Sequence, residues 1–139
     1  MDSKPIFDFS TFPVLITERL ILRELRRADA ADVLGFRGDP IVQKYDDPII
    51  YSEAEAQTFI DELHAEYLAQ QGINWAVTLP DPGAVVGIFS LHHWEPYHRR
   101  AEAGFGLARA YWGQGIASEA LRAIVGLGFR QLNLNKIYA

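Results

Sequence analysis

Apolar and charged residues alternate in Arg19-Leu20-Ile21-Leu22-Arg23-Glu24-Leu25, which predicts a strand with one wet face. Asp29 opens a short helix to about Arg37, ended by the turn cluster Gly38-Asp39-Pro40. Ser52 and Glu55 form an S-x-x-E capping box, in which each side chain satisfies a free backbone amide at a helix start. Ala56, Phe59, Ile60, Leu63 and Tyr67 follow at helical spacing, with Glu53, Asp61, Glu62 and Glu66 elsewhere on the surface. This helix is expected to reach about Gln71 and stop at Gly72. The period then changes. Residues 73–79 and 84–91 read as strands around the turn Pro80-Asp81-Pro82-Gly83. Residues 101–107 read as a third strand, where Gly104 and Gly106 mark a bulge or a close backbone approach. A glycine-rich turn leads into a helix over 115–131 whose inward stripe is Leu121, Ile124, Val125 and Phe129. Lys136-Ile137-Tyr138-Ala139 opens another strand.

No repeat or linker divides these elements, so residues 1–139 are expected to form one domain, long enough to enclose a core. Composition adds exclusions. With no cysteine there is no disulfide framework and no Cys-based zinc site, as suits a reducing compartment. Met1-Asp2-Ser3-Lys4-Pro5 does not begin a signal peptide, and no apolar run approaches the roughly 20 residues that cross a bilayer. A cytoplasmic protein without membrane contact is expected. The net charge of −5 argues against a nucleic-acid surface, which needs clustered Lys and Arg. An acidic domain suits a cationic partner, such as an amine or a basic peptide.

The chemically informative stretch is Leu107-Ala108-Arg109-Ala110-Tyr111-Trp112-Gly113-Gln114-Gly115-Ile116-Ala117-Ser118-Glu119-Ala120-Leu121, a strand, a glycine turn and a helix. Gly113 and Gly115 remove side chains where a ligand would near the backbone, and a helix start offers unpaired N–H groups and a positive dipole end. Such a turn can hold phosphate. It can also be an ordinary connector, and spacing alone leaves both readings open. The Lys-Ser/Thr pair of a Walker A loop and the G-x-x-G of the dinucleotide fingerprint are absent.

The run from Tyr111 to Leu121 resembles the acetyl-CoA pyrophosphate loop of the GNAT superfamily of N-acetyltransferases. It is most similar to the branch containing the ribosomal-protein N-terminal acetyltransferases of RimJ/RimL type, where Trp at position 112 is usual. Thr17-Glu18-Arg19-Leu20-Ile21-Leu22-Arg23 resembles that branch's first strand, Val85-Val86-Gly87-Ile88 the central one, and Arg99-Arg100-Ala101-Glu102-Ala103-Gly104-Phe105 the strand that splays to admit the cofactor. The resemblance spans roughly residues 14–139. It implies an α/β fold: a mixed, mostly antiparallel sheet flanked by helices, with a splayed parallel strand pair at the cofactor site. It also implies acetyl-CoA as cosubstrate and, with no metal, direct acetyl transfer to a primary amine, either a protein N-terminus or a small molecule. Backbone amides of Gln114, Gly115, Ile116, Ala117 and Ser118, beside Trp112 and Gly113, would hold the pyrophosphate. The pantetheine arm would pair with the backbone of Phe105 and Leu107, and the Leu107 amide would stabilise the oxyanion.

Attack by a neutral amine calls for a proton acceptor, and Glu102 is the candidate, directly or through a water. A strand-end carboxylate paired with Arg99 or Arg100 is the competing reading. His92, His93 and His98, among Trp94, Pro96 and Tyr97, read as a loop beside the acceptor groove rather than as metal ligands. Relatives continue past Tyr138 with a helix carrying a CoA-contacting Asn and two closing strands; Asn133 and Asn135 fall too early to be that Asn. The domain is therefore expected to lack its C-terminal strands, exposing Ile137 and a sheet edge unless a second copy, as in a homodimer, covers it. A non-catalytic acyl-CoA-binding or regulatory module is the rival reading.

Overall fold

A computed structural model describes residues 8–43, 48–81, 83–95, 99–132, 134 and 136–138. The N-terminal pentapeptide, Pro82, Pro96, Tyr97, His98, Asn133, Asn135 and Ala139, all used in the reading above, lie outside that set. The described residues form β1 (Leu15–Ile16), β2 (Ile21–Glu24), α1 (Ala30–Arg37), α2 (Glu53–Leu68), β3 (Ile73–Thr78), β4 (Val85–Glu95), β5 (Arg100–Leu107), α3 (Ile116–Arg130) and β6 (Lys136–Tyr138). The strands make one sheet in chain order. Neighbours are antiparallel except β5 and β6, which run parallel because α3 carries the chain across between them. The expected α/β architecture is the one that forms.

Helices cover both faces of the sheet, so β3 is buried at every position. Ile73, Trp75 and Val77 join Leu22, Phe89 and Leu107 against Ile116, Ala120, Ile124 and Leu127 of α3. Ala76 and Ile88 face the other way, onto Val33 and Phe36 of α1 and Ile60 of α2. Full burial of Phe89 or Leu22 stabilises the fold by roughly 1.5–3 kcal/mol each. Two buried polar groups of β3 are matched: Trp75 Nε1 donates to the Pro13 carbonyl at 2.8 Å, and Thr78 Oγ1 to the Ile21 carbonyl at 2.8 Å.

Several expectations need correction. The segment from His92 to Glu95 continues β4 rather than forming a loop, because β5 supplies partners on either side of a bulge: His92 opposite Glu102, and Glu95 opposite Arg100. β5 itself pairs with β4 without interruption from Glu102 to Leu107, so Gly104 and Gly106 make no bulge there. Helix α2 ends at Leu68, since Gln70 takes the left-handed conformation (φ 59°) that ends a helix. Gly72 answers to space instead, as a Cβ there would lie 3.0 Å from the Leu91 carbonyl. In the capping box Ser52 Oγ accepts from Glu55 N at 3.1 Å, but the Glu55 carboxylate reaches one residue further back, to Tyr51 N.

The inward stripe of α3 is Ile116, Ala120, Ile124, Leu127 and Gly128, and Phe129 is 48% exposed. Large residues alone misled the phase: the buried stripe also holds the small Ala120 and Gly128. A Cβ on Gly128 would stand 2.7 Å from Ile137 Cδ1. Ile137 is accordingly half-buried rather than exposed, although β6 is the edge strand.

Candidate active site

The chain leaves β5 at Ala108, whose N–H donates to the Val86 carbonyl at 2.8 Å. A single 3-10 turn, Arg109–Tyr111, follows. Trp112 folds back and its Nε1 donates to the Leu107 carbonyl at 2.7 Å. Gly113 (φ 76°) and Gly115 (φ 79°) are both left-handed. A Cβ on Gly113 would meet nothing within 4 Å, so conformation rather than crowding selects glycine there. Gly115 is the N-cap of α3 and has no side chain with which to cap, so the first amides of the helix receive no hydrogen bond from it.

Phe105, Leu107, Trp112, Gly113, Gly115, Ile116, Ala117 and Ser118 line, with Tyr111, a cleft of about 340 Å³. Gln114 alone among the predicted cofactor residues is absent from its wall; its carbonyl accepts from Arg19 Nη1 at 2.9 Å.

The outer edge of β5 borders this cleft. Successive strand residues aim their backbone groups at opposite edges. Ala108 donates to β4, while the Arg99 carbonyl accepts from Lys136 N on the β6 side at 3.3 Å. With no slip in register between Glu102 and Leu107, Phe105 and Leu107 turn their backbone groups away from β4. Parallel pairing with β6 is made by Arg100, Ala101 and Glu102, so the edge beyond has no strand partner among the described residues.

A second cleft, of about 230 Å³, opens on the opposite face, between the sheet and α1 and α2. Its wall includes Arg37, Phe59, Glu66, Asn74, Ser90, His92 and Gly104. The Arg37 guanidinium lies 4.5 Å above the Phe59 ring. Ser90 Oγ donates to Asn74 Oδ1 at 2.6 Å, and Asn74 Nδ2 reaches Glu66 Oε1 at 3.5 Å. Sequence reasoning placed His92 beside an acceptor groove but missed Asn74 and Ser90. The available signal was a polar residue, Asn74 or Ser90, inside an otherwise apolar strand, because buried polar groups need partners. Glu102 is half-buried on β5, directly across from His92. Gly104 leaves room for that imidazole, as a Cβ there would be 3.4 Å from its Cε1. Phe105 borders both clefts; it stacks on Phe89 at 4.9 Å and is 54% exposed. His98 lies outside the described residues.

The glycine turn is tied down from two directions. Glu119, in the first turn of α3, accepts from Thr17 Oγ1 at 2.5 Å, from Arg19 N at 2.8 Å and from Arg19 Nε at 2.8 Å. The Thr17 hydroxyl above all, with the several Arg19 contacts beside it, outweighs the opposing effect of burial and holds the Glu119 carboxyl at about 2. Arg109 Nε meets Asp39 Oδ2, beyond the end of α1, at 2.6 Å. Burial works to raise the Asp39 carboxyl, but Arg109 and the Ile41 and Val42 amides outweigh it and keep it below its ordinary value. Among the described residues no group of three His, Asp or Glu is placed to hold a metal ion.

Residues 19–139 match the family described as Acetyltransferase (GNAT) domain. The chain belongs to the GNAT acetyltransferase family. It is thereby an acyltransferase of the acetyl-CoA-dependent kind. The uncharacterized N-acetyltransferase YoaA of Bacillus subtilis (strain 168) is 33% identical over 129 residues, covering 92% of this chain and 73% of that protein. The crystal structure of a GNAT-family acetyltransferase from Bacillus anthracis superposes with a TM-score of 0.76 at 25% identity, covering 90% of this chain and 71% of that one. The structure of RimL, a ribosomal L7/L12 alpha-N-protein acetyltransferase in complex with coenzyme A, shares the fold with a TM-score of 0.74 at 17% identity, covering 88% and 71%. No described helix of this GNAT domain is long and apolar enough to cross a membrane.

Proposed function

We propose that this GNAT domain binds acetyl-CoA at the 107–118 turn and transfers the acetyl group to a primary amine admitted through the second cleft. The observation that carries this reading is the pair of left-handed glycines opening α3 beside the outward-facing backbone of Phe105 and Leu107. The residues present fit the cosubstrate. Uncapped amides at a helix start suit its pyrophosphate, and a strand edge suits the amide-bearing pantetheine arm.

Bound acetyl-CoA would supply an acyl group activated as a thioester. The amides of Gly115, Ile116, Ala117 and Ser118 would take the diphosphate, and the Leu107 N–H would serve the thioester oxygen. Glu102 would accept the proton of the attacking amine, directly or through a water. Phe105, at the border of both clefts, lies where the two substrates would meet. Both a protein N-terminus and a small-molecule amine suit a cleft walled by Glu66 and Asn74.

Gly115→Leu tests the site. A branched side chain at φ 79° is strained, and its Cβ would crowd Arg19 Nη2 at 3.3 Å, so the turn could not keep its shape. CoA affinity, measured by calorimetry on the folded variant, is expected to fall by at least about tenfold, the equivalent of one lost charge-assisted hydrogen bond. Parent-like affinity would move the site elsewhere.

A further inference from the structure

Arg19 lies outside the cleft wall, just before β2, yet three of its groups converge on the cofactor turn. Its backbone N–H and its Nε both donate to Glu119, and its Nη1 donates to the Gln114 carbonyl. Its Nη2 stands 3.3 Å from where a Cβ on Gly115 would be. The peptide joining Gln114 to Gly115 is planar and trans, so its N–H points opposite to its carbonyl. Drawing that carbonyl towards Arg19 therefore aims the Gly115 N–H to the other side of the turn. Gly115 itself forms part of the cleft wall, whereas Arg19 does not.

Glu119 is the acidic residue in the first turn of α3. Unpaired, its charge would oppose an anion at the same helix end. Paired with Arg19 and Thr17, it becomes an anchor that holds the guanidinium in place. The Arg19 side chain is 44% exposed, and ion pairs this open contribute little to stability. Their effect here is on orientation.

We infer that Arg19 is a positioning residue for the anion-binding turn: anchored by Glu119, it fixes the Gln114–Gly115 peptide so that the turn is set for a diphosphate before one arrives. This rests on the reading of the turn as the acetyl-CoA site. The chemistry requires a bridge, one group bonded to Glu119 and another to Gln114. A lysine at position 19 keeps the charge but, with a single nitrogen, cannot span both as the guanidinium fork does.

Calorimetric titration of the protein with CoA, and displacement of CoA by inorganic pyrophosphate, would be run on the parent, Arg19→Ala and Arg19→Lys, with melting temperatures alongside. Arg19→Ala is expected to weaken CoA by about tenfold and pyrophosphate by a similar factor, with Arg19→Lys recovering less than half of that loss on a logarithmic scale. Full recovery in Arg19→Lys would overturn the inference, since charge alone would then suffice. Parent-like CoA affinity in Arg19→Ala would also overturn it, as would a loss for CoA without one for pyrophosphate. If Arg19→Ala does not fold, Arg19→Lys decides the matter by the same criterion. A parent that binds no CoA would instead sink the cofactor-site reading itself.

Discussion

Glu102 and His92 face each other across two antiparallel strands, on the side of the sheet where the second cleft lies. If Glu102 accepts the proton of the amine, Glu102→Gln keeps its shape and removes that capacity. The turnover number is then expected to fall about 100-fold while CoA affinity stays within about twofold, because a base acts on the amine and not on the nucleotide. Turnover and calorimetric titration across roughly pH 6 to 9 would check this. A fall of less than about threefold throughout that range would remove Glu102 from the mechanism and turn attention to the imidazole opposite. In the sequence alone Glu102 stands both as a candidate base and as a strand-end carboxylate paired with Arg99 or Arg100. What gives it a setting is register, which places it beside a cleft that composition and spacing do not describe.

Two glycines in α3 make opposite demands on that helix. Gly128 is buried, and a larger residue would strike Ile137 Cδ1 and Leu134 Cδ1. Gly128→Leu should lower stability by about 1–3 kcal/mol through overpacking. The nearest atoms to a Cβ on Gly126 would be the guanidinium end of Arg130, an exposed and flexible side chain that can move aside. Gly126→Ala should raise stability by up to about 1 kcal/mol through helix propensity. Denaturant unfolding of both variants would check the contrast, and a shift in the same direction would refute it. The contrast also shows what was legible at this scale. The Ser52 cap, the strand after α3 and the glycine turn were all legible in local pattern, because each follows a local rule. The phase of α3 and the extension of β4 through His92 were not. The first depends on how close the sheet approaches, and the second on partners that β5 supplies. Neither is written in the segment concerned. The short β1, with two residues, falls below any periodicity.

At the scale of the whole molecule, one carboxylate joins the segment between β1 and β2 to the start of α3. Glu119 sits at about 2 against an ordinary 4.5, so it stays ionised in the folded protein where an unfolded chain would protonate it. The sign follows. A depressed carboxyl contributes stability that is complete above about 4.5 and lost as pH falls towards 2. Glu119→Gln should therefore melt below the parent at neutral pH, and the gap should close between about 4.5 and 2. Melting curves across that range would check it, and a gap independent of pH would mean that the carboxylate's charge contributes nothing. Asp29, clasped by Arg23 at 2.9 Å, is also held low but is common to both proteins and cancels in the difference.

The outward backbone of β5 has one more consequence. The N–H groups at Phe105 and Leu107 exist whatever side chains those positions carry, so exchanging side chains along that strand leaves the donors in place. Alanine scanning would pass over them. Only chemistry that edits the main chain, an ester in place of the Leu107 amide or a proline at that position, would silence them. The strand can thus drift in composition while keeping its edge, a freedom that a site built from side chains does not have.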